Sequence, residues 1–122
     1  MQPLVMIVDD ESLIRNTLFD FLDDYDEFRL ALAGSAEEAL GQLHKESADL
    51  CIVDLRLPGM NGKEFINKAS AQGICKHFLL HTGSIDEKLS QSLSQYGLTR
   101  DDLFLKPYDV RTLLARVRAL IG

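Results

Sequence analysis

Five short apolar runs alternate along this chain with five stretches of helical periodicity, and that alternation restricts the fold more than any other feature. The runs are Leu4–Val8 (LVMIV), 28–33 (FRLALA), 50–53 (LCIV, ending abruptly on Asp54), 77–81 (HFLLH) and Leu103–Leu105 (LFL). Between them, apolar residues recur at three- and four-residue spacing. Leu13, Ile14, Leu18, Phe21 and Leu22 mark a first helix, which the acidic turn 23–27 ends. Ala36, Ala39, Leu40 and Leu43 mark a second, opened by Gly34-Ser35 with Glu38 placed for a capping box. Phe65, Ile66 and Ala69 lie inward on a short third helix over 63–70. A fourth carries Ile85, Leu89, Leu93 and Tyr96, with a second capping box from Ser84 and Glu87 and Gly97 as its C′ residue. The last, capped by Asp109, turns Val110, Leu113, Leu114, Val117 and Ile121 inward. Strict strand–helix alternation predicts an α/β fold: a doubly wound parallel sheet, helices on both faces, right-handed crossovers.

Length and composition narrow the class further. At 122 residues the chain suits one domain, 1–122, with a core that needs no staples. The net charge of −6, without a basic run, argues against direct nucleic-acid binding by this domain. Cys51 and Cys75 have no metal-type spacing, and Cys51 inside an apolar run reads as a buried hydrophobe in a reducing compartment. No stretch approaches the roughly 20 apolar residues of a membrane span. Leu4–Val8 is too short for a signal peptide and lacks a basic flank. The expectation is a cytoplasmic protein, or the cytoplasmic part of one. Gly122 falls where an interdomain linker would begin, so the chain reads equally as a whole protein or as an excised N-terminal or internal module.

The strand ends carry the chemistry. Asp9-Asp10 follow the first, Asp54 the third, Thr82 the fourth and Lys106 the fifth. Singly these are ordinary turn, helix-entry and solvated residues. In a parallel sheet they reach one rim, where ligands of such folds bind. Crowded carboxylates repel unless a cation compensates them. A hard divalent ion such as Mg²⁺ suits few carboxylates, some water and a phosphate oxygen. An Asp can then serve as nucleophile toward phosphorus. Lys106 would supply further positive charge and Thr82 a hydroxyl to the phosphate oxygens.

With these residues in view, the chain resembles, over nearly its whole length, the receiver domain (CheY-like) of the two-component response-regulator family. The motifs are Asp9-Asp10, the DLRLPGMNG segment from Asp54, Thr82-Gly83 and Lys106-Pro107. The resemblance implies a flavodoxin-like (βα)5 sheet in strand order 2-1-3-4-5. It implies that Asp54 accepts a phosphoryl group from a phosphohistidine, in a phosphorelay that shifts the domain between inactive and active conformations. It further implies Mg²⁺ (or Mn²⁺) held directly by Asp10, Asp54 and the backbone carbonyl of Arg56. Asp9 would act mainly through water or by orienting Lys106. Thr82 and Lys106 would bind the phosphate, and the peptide before Pro107 would be cis. The implied partners are a sensor histidine kinase or phosphotransfer protein, docking along Ser12, Arg15 and Asn16 and near Tyr108, and an effector of unspecified kind. A phosphorylation-dependent homodimer through the 96–103 side stays open.

Several positions depart from the family pattern. Leu103 stands where an aromatic is common, with Phe104 on the opposite face by alternation. The 97–102 segment (GLTRDD) is about two residues longer than usual. Arg56 follows the acceptor by two, either near phosphate or solvated. His81 reads as a partly buried packing residue, and Tyr108 as packing or as a substitute for the missing aromatic. Other readings are a pseudo-receiver acting as an interaction module, an Asp-nucleophile phosphohydrolase and a flavodoxin-like cofactor binder. The phosphohydrolase would need an acid where Arg56 stands. The cofactor binder would need a phosphate loop where Asp9-Asp10-Glu11 stand.

Overall fold

The computed structural model describes every residue except Met1, Ser84 and Asp86, and the backbone but not the side chain of Glu87. The elements are β1 (Leu4–Val8), α1 (Ser12–Asp23), β2 (Arg29–Ala33), α2 (Ala36–Lys45), β3 (Ala48–Asp54), α3 (Gly62–Gln72), β4 (Cys75–Thr82), α4 (Glu87–Ser94), β5 (Leu103–Leu105) and α5 (Val110–Ile121). The strands form one parallel sheet in the order β2-β1-β3-β4-β5, as the resemblance implied. Strands buried on both faces cannot alternate apolar with polar, and β1 is accordingly buried at every position.

Two cores flank the sheet. One joins Val5, Ile7, Leu50, Ile52 and Leu79 of the strands to Leu18 and Leu22 of α1 and to Leu113, Leu114 and Val117 of α5. The other joins Met6, Val8, Cys51, Val53 and Leu80 to Ala36, Ala39 and Leu43 of α2, Phe65, Ile66 and Ala69 of α3, and Leu93 of α4. Leu103 packs with the second core and Phe104 with the first, as alternation along β5 requires. Among the described residues no helix is long and apolar enough to cross a membrane.

Element ends differ from the sequence reading where tertiary pairing decides them. β4 begins at Cys75 rather than at residue 77, because Cys75 pairs with Ala48 of β3. β2 begins at Arg29; Phe28 is buried in the α1–α5 core without joining the ladder. α3 runs from Gly62 to Gln72, started by a capping box between Asn61 and Glu64 and stopped by Gly73 at φ 66°. At α2, Ser35 accepts from the Glu38 N–H at 3.1 Å, but the Glu38 carboxylate takes the N–H of Gly34 rather than that of Ser35. The expected Ser84–Glu87 box lies outside the described residues. The long 97–102 segment contains a 3₁₀ turn at Arg100–Asp102. Buried Asp102 accepts from the Thr99 N–H at 2.8 Å and from Arg116 Nε at 2.7 Å, which anchors that turn to α5.

Gly41 sits inside α2, and among the described residues nothing beyond its chain neighbours and its own helical backbone lies within 4 Å of an added Cβ. Gly41→Ala should therefore stabilise the chain by about 0.5–1 kcal/mol, by restricting the unfolded backbone without a clash. Urea denaturation of the pair measures it; a loss of stability would show that α2 is constrained at that point by something other than its own propensity.

Candidate functional site

The sheet register brings the polar strand ends to one rim. Val8 pairs with Val53, Asp54 with His81, and Thr82 with Leu105, so Asp9, Asp54, Thr82 and Lys106 all follow or end strands at the same level. The peptide before Pro107 is cis, as expected, and the Lys106 N–H donates to the Thr82 carbonyl at 2.7 Å.

Asp9 is fully buried, yet its carboxylate is well supplied with donors. Oδ1 accepts from the Glu11 N–H at 2.8 Å, and Oδ2 accepts from Lys106 Nζ at 2.9 Å. His81 Nε2 lies 3.2 Å from the same Oδ2, close but too bent to count as a full hydrogen bond. Burial alone would raise the pKa of Asp9. The pull of His81, the Glu11 N–H and Lys106 outweighs it and holds the carboxyl at about 2. Arg15 Nη1 donates to the Asp9 carbonyl at 2.7 Å, so this side chain braces the site from α1.

Asp54 is 5% exposed. Its Oδ1 accepts from the Arg56 N–H at 3.1 Å and its Oδ2 from Lys106 Nζ at 3.4 Å. Lys106 thus straddles two carboxylates; burial lowers its pKa, but Asp9 and Asp54 more than offset that and keep the ammonium charged. Arg56 meets the site through its main-chain N–H, while its side chain is exposed and, with Asp10, Pro58, Asn61 and Lys63, lines a groove beside it.

Carboxylate oxygens of Asp9, Asp10, Glu11 and Asp54 lie within 4.8 Å of one another, two of these residues buried and two exposed. Such a set of hard oxygens, open to solvent on one side, fits a divalent cation of the Mg²⁺ kind and is poorly neutralised by one ammonium. Among the described residues the buried hydroxyl of Thr82 has no hydrogen-bond partner, as a group awaiting an oxygen ligand would. The donor chemistry therefore fits both a hard cation and a phosphoryl group.

The sequence-predicted residues Asp9, Asp10, Asp54 and Lys106 are brought together, and Thr82 ends the strand beside Asp54. Three participants were missed. Glu11 joins the acidic cluster, although its place after Asp9-Asp10 could have suggested it. His81, expected to be a partly buried packing residue, is fully buried and makes polar contacts at both ring nitrogens. Its position two residues after Leu79, on the same sheet face, was the available signal. Tyr108 is more than packing: its hydroxyl lies 2.9 Å from His81 Nδ1.

Comparison with known proteins agrees with this geometry. A protein-family model described as the response regulator receiver domain matches residues 5–118. The transcriptional regulatory protein CiaR of Streptococcus pneumoniae is 31% identical over 117 residues, covering 96% of this chain and 50% of that protein. The two-component response regulator PhoP of Pseudomonas aeruginosa is 33% identical over 121 residues, covering 96% and 51%. The chain thus spans about half the length of the curated relatives it matches. Among solved structures, the chemotaxis protein CheY4 of Vibrio cholerae superposes with a TM-score of 0.87 at 27% identity, covering 98% of this chain and 99% of that one.

Proposed function

This chain belongs to the response regulator receiver domain family, and from that premise we propose that it is a phosphoacceptor switch with Asp54 as the acceptor. Receiver domains are signalling domains of two-component systems. The observation that carries the reading is Lys106 Nζ set between Asp9 Oδ2 and Asp54 Oδ2, next to an acidic cluster open to solvent. An Asp54 oxygen attacks the phosphorus of a phosphohistidine; the P–N bond breaks, and its electron pair stays on the imidazole nitrogen of the donor. Asp10, Asp54 and the Arg56 carbonyl would hold Mg²⁺ or Mn²⁺, with Asp9 and Glu11 beside them; the cation supplies neutralising charge for the transferring oxygens. Lys106 leaves Asp9 for the new phosphoryl oxygens, and the Thr82 hydroxyl donates to another.

The acyl phosphate adds up to about two negative charges and three acceptor oxygens at the rim. That shifts an equilibrium between two arrangements of the surrounding loops. A swing from 1:99 to 99:1 needs roughly 5.5 kcal/mol of differential interaction. The phosphodonor, a histidine kinase or phosphotransfer protein, docks on the apolar groove of Leu13, Ile14, Pro107, Tyr108 and Val110, where Leu13 is 79% exposed. Ser12 and Asn16 stand exposed on the same helix, whereas Arg15 is engaged on the Asp9 carbonyl. An effector then reads the shifted conformation.

Intact-mass analysis after incubation with Mg²⁺ and acetyl phosphate tests the reading. Wild type should gain one phosphoryl group, and Asp54→Asn or a chelated sample should gain none. No gain in the wild type, or an undiminished gain in Asp54→Asn, overturns it.

A further inference from the structure

The Asp9 carboxylate accepts from two donors, the Glu11 N–H and Lys106 Nζ, with the His81 ring close beside it, and the proposed chemistry removes one donor when Lys106 turns to the phosphoryl group. A buried carboxylate that loses its cation is costly unless other donors remain. The Glu11 N–H holds Oδ1. What remains for Oδ2 is the imidazole of His81, which reaches it from the core side of the pocket at 3.2 Å.

The two ring nitrogens of His81 have distinct neighbours. A carboxylate only accepts, so Nε2 carries the proton toward Asp9. In the neutral ring Nδ1 is then an acceptor, and the hydroxyl of Tyr108 donates to it across 2.9 Å. Burial and the charges of Asp9 and Asp54 push the Tyr108 phenol upward in pKa, which keeps it a donor. Tyr108 is held in turn against Phe104, ring centroids 5.4 Å apart, and by the β5–α5 connection. The chain Tyr108–His81–Asp9 therefore runs from a surface groove into the acidic cluster.

We propose that His81 is a positioning residue of the cation site: it holds Asp9 from behind, with Tyr108 fixing its tautomer, so that the acidic cluster keeps its shape when Lys106 departs. This deepens, and rests on, the reading of Asp54 as acceptor with a divalent cation beside it. Partners behind a metal site characteristically matter to affinity without touching the ion.

Calorimetric titration of Mg²⁺ alone, into the folded chain, tests this. His81→Leu should weaken binding about 10-fold, the lower end of what loss of such a partner costs. His81→Gln, which offers an amide N–H near the place of Nε2, should recover most of that loss. In the wild type, the ¹⁵N resonances of the His81 ring should show an Nε2-protonated tautomer and move on saturation with Mg²⁺, while those of His44 and His77 stay. Should His81→Leu fail to fold, the glutamine variant and the wild-type ring signals still decide. Wild-type affinity in His81→Leu, no advantage of glutamine over leucine, or an unmoved His81 signal overturns the inference alone. A wild type that takes up no Mg²⁺ overturns the reading of the site, and this inference with it.

Discussion

Lys106→Met should accept a phosphoryl group from acetyl phosphate roughly 10²–10³-fold more slowly than wild type, the cost of removing one preorganised charge from a transition state. Methionine keeps the length of the side chain and deletes the ammonium that lies 2.9 Å from Asp9 and 3.4 Å from Asp54. The Lys106 side chain is only 17% exposed, so water replaces its ammonium poorly as a partner for the phosphoryl oxygens. Two effects then compete in the metal-free protein. Losing Lys106 leaves the Asp9 and Asp54 carboxylates to repel each other, but His81 and the main-chain N–H groups of Glu11 and Arg56 remain. A partly exposed lysine makes the net destabilisation modest, about 2 kcal/mol, below the value for breaking a fully buried pair. Magnesium uptake should persist, because the oxygen donors are untouched. Time-resolved intact-mass analysis reads the rate, and calorimetry the cation. A variant phosphorylated as fast as wild type would show that Lys106 does not reach the transferring group.

Gly62→Ala should lower stability by about 3 kcal/mol, at the upper end of the range for over-packing. A Cβ at this position would stand 2.3 Å from the Asp54 carbonyl oxygen and 2.8 Å from the Leu55 Cα. Both are backbone atoms, so no side-chain rotation relieves the clash. The Gly62 N–H donates to the Leu55 carbonyl at 2.8 Å, closing the loop that follows Asp54, and its backbone φ is not in the left-handed region. Space, rather than conformational freedom, demands glycine here. Relief requires the 55–61 loop to move away from β3, which displaces Asp54 as well. The midpoint of thermal unfolding should fall by on the order of 10 °C, in contrast to the gain expected at Gly41. A Gly62→Ala chain of wild-type stability would mean that the loop yields freely, and that Asp54 is less firmly placed than the close approach implies.

Most of the fold was legible because burial leaves a periodic trace. Strands covered on both faces had to read as continuous apolar runs, and helices covered on one face as stripes. The capping serine, Ser35, and the turn glycine, Gly97, announced themselves through residue chemistry. Strand ends were less legible: nothing local to Cys75 says that it will meet Ala48, since that pairing depends on a neighbour 27 positions away. The Asn61–Glu64 box is written in residue chemistry too, an Asn followed three positions on by a Glu.

The acidic pocket divides in the same way. Asp9, Asp10, Asp54, Thr82 and Lys106 stood out because each follows or ends an apolar run, and parallel strands must deliver their ends to one rim. The amino-acid order by itself thus determined the α/β class, the rim and the main acidic and basic groups upon it. Only the tertiary structure decided how those groups share their charges: Lys106 straddling two carboxylates, Arg15 spent on a carbonyl, and His81 tied between Asp9 and Tyr108. The physical reason is that hydrophobic patterning is local and repetitive, while a hydrogen bond is set by the meeting of particular atoms over a few ångströms. His81 and Tyr108 are 27 residues apart in the chain. No period in the sequence encodes their contact; the sheet register and the turn into α5 create it.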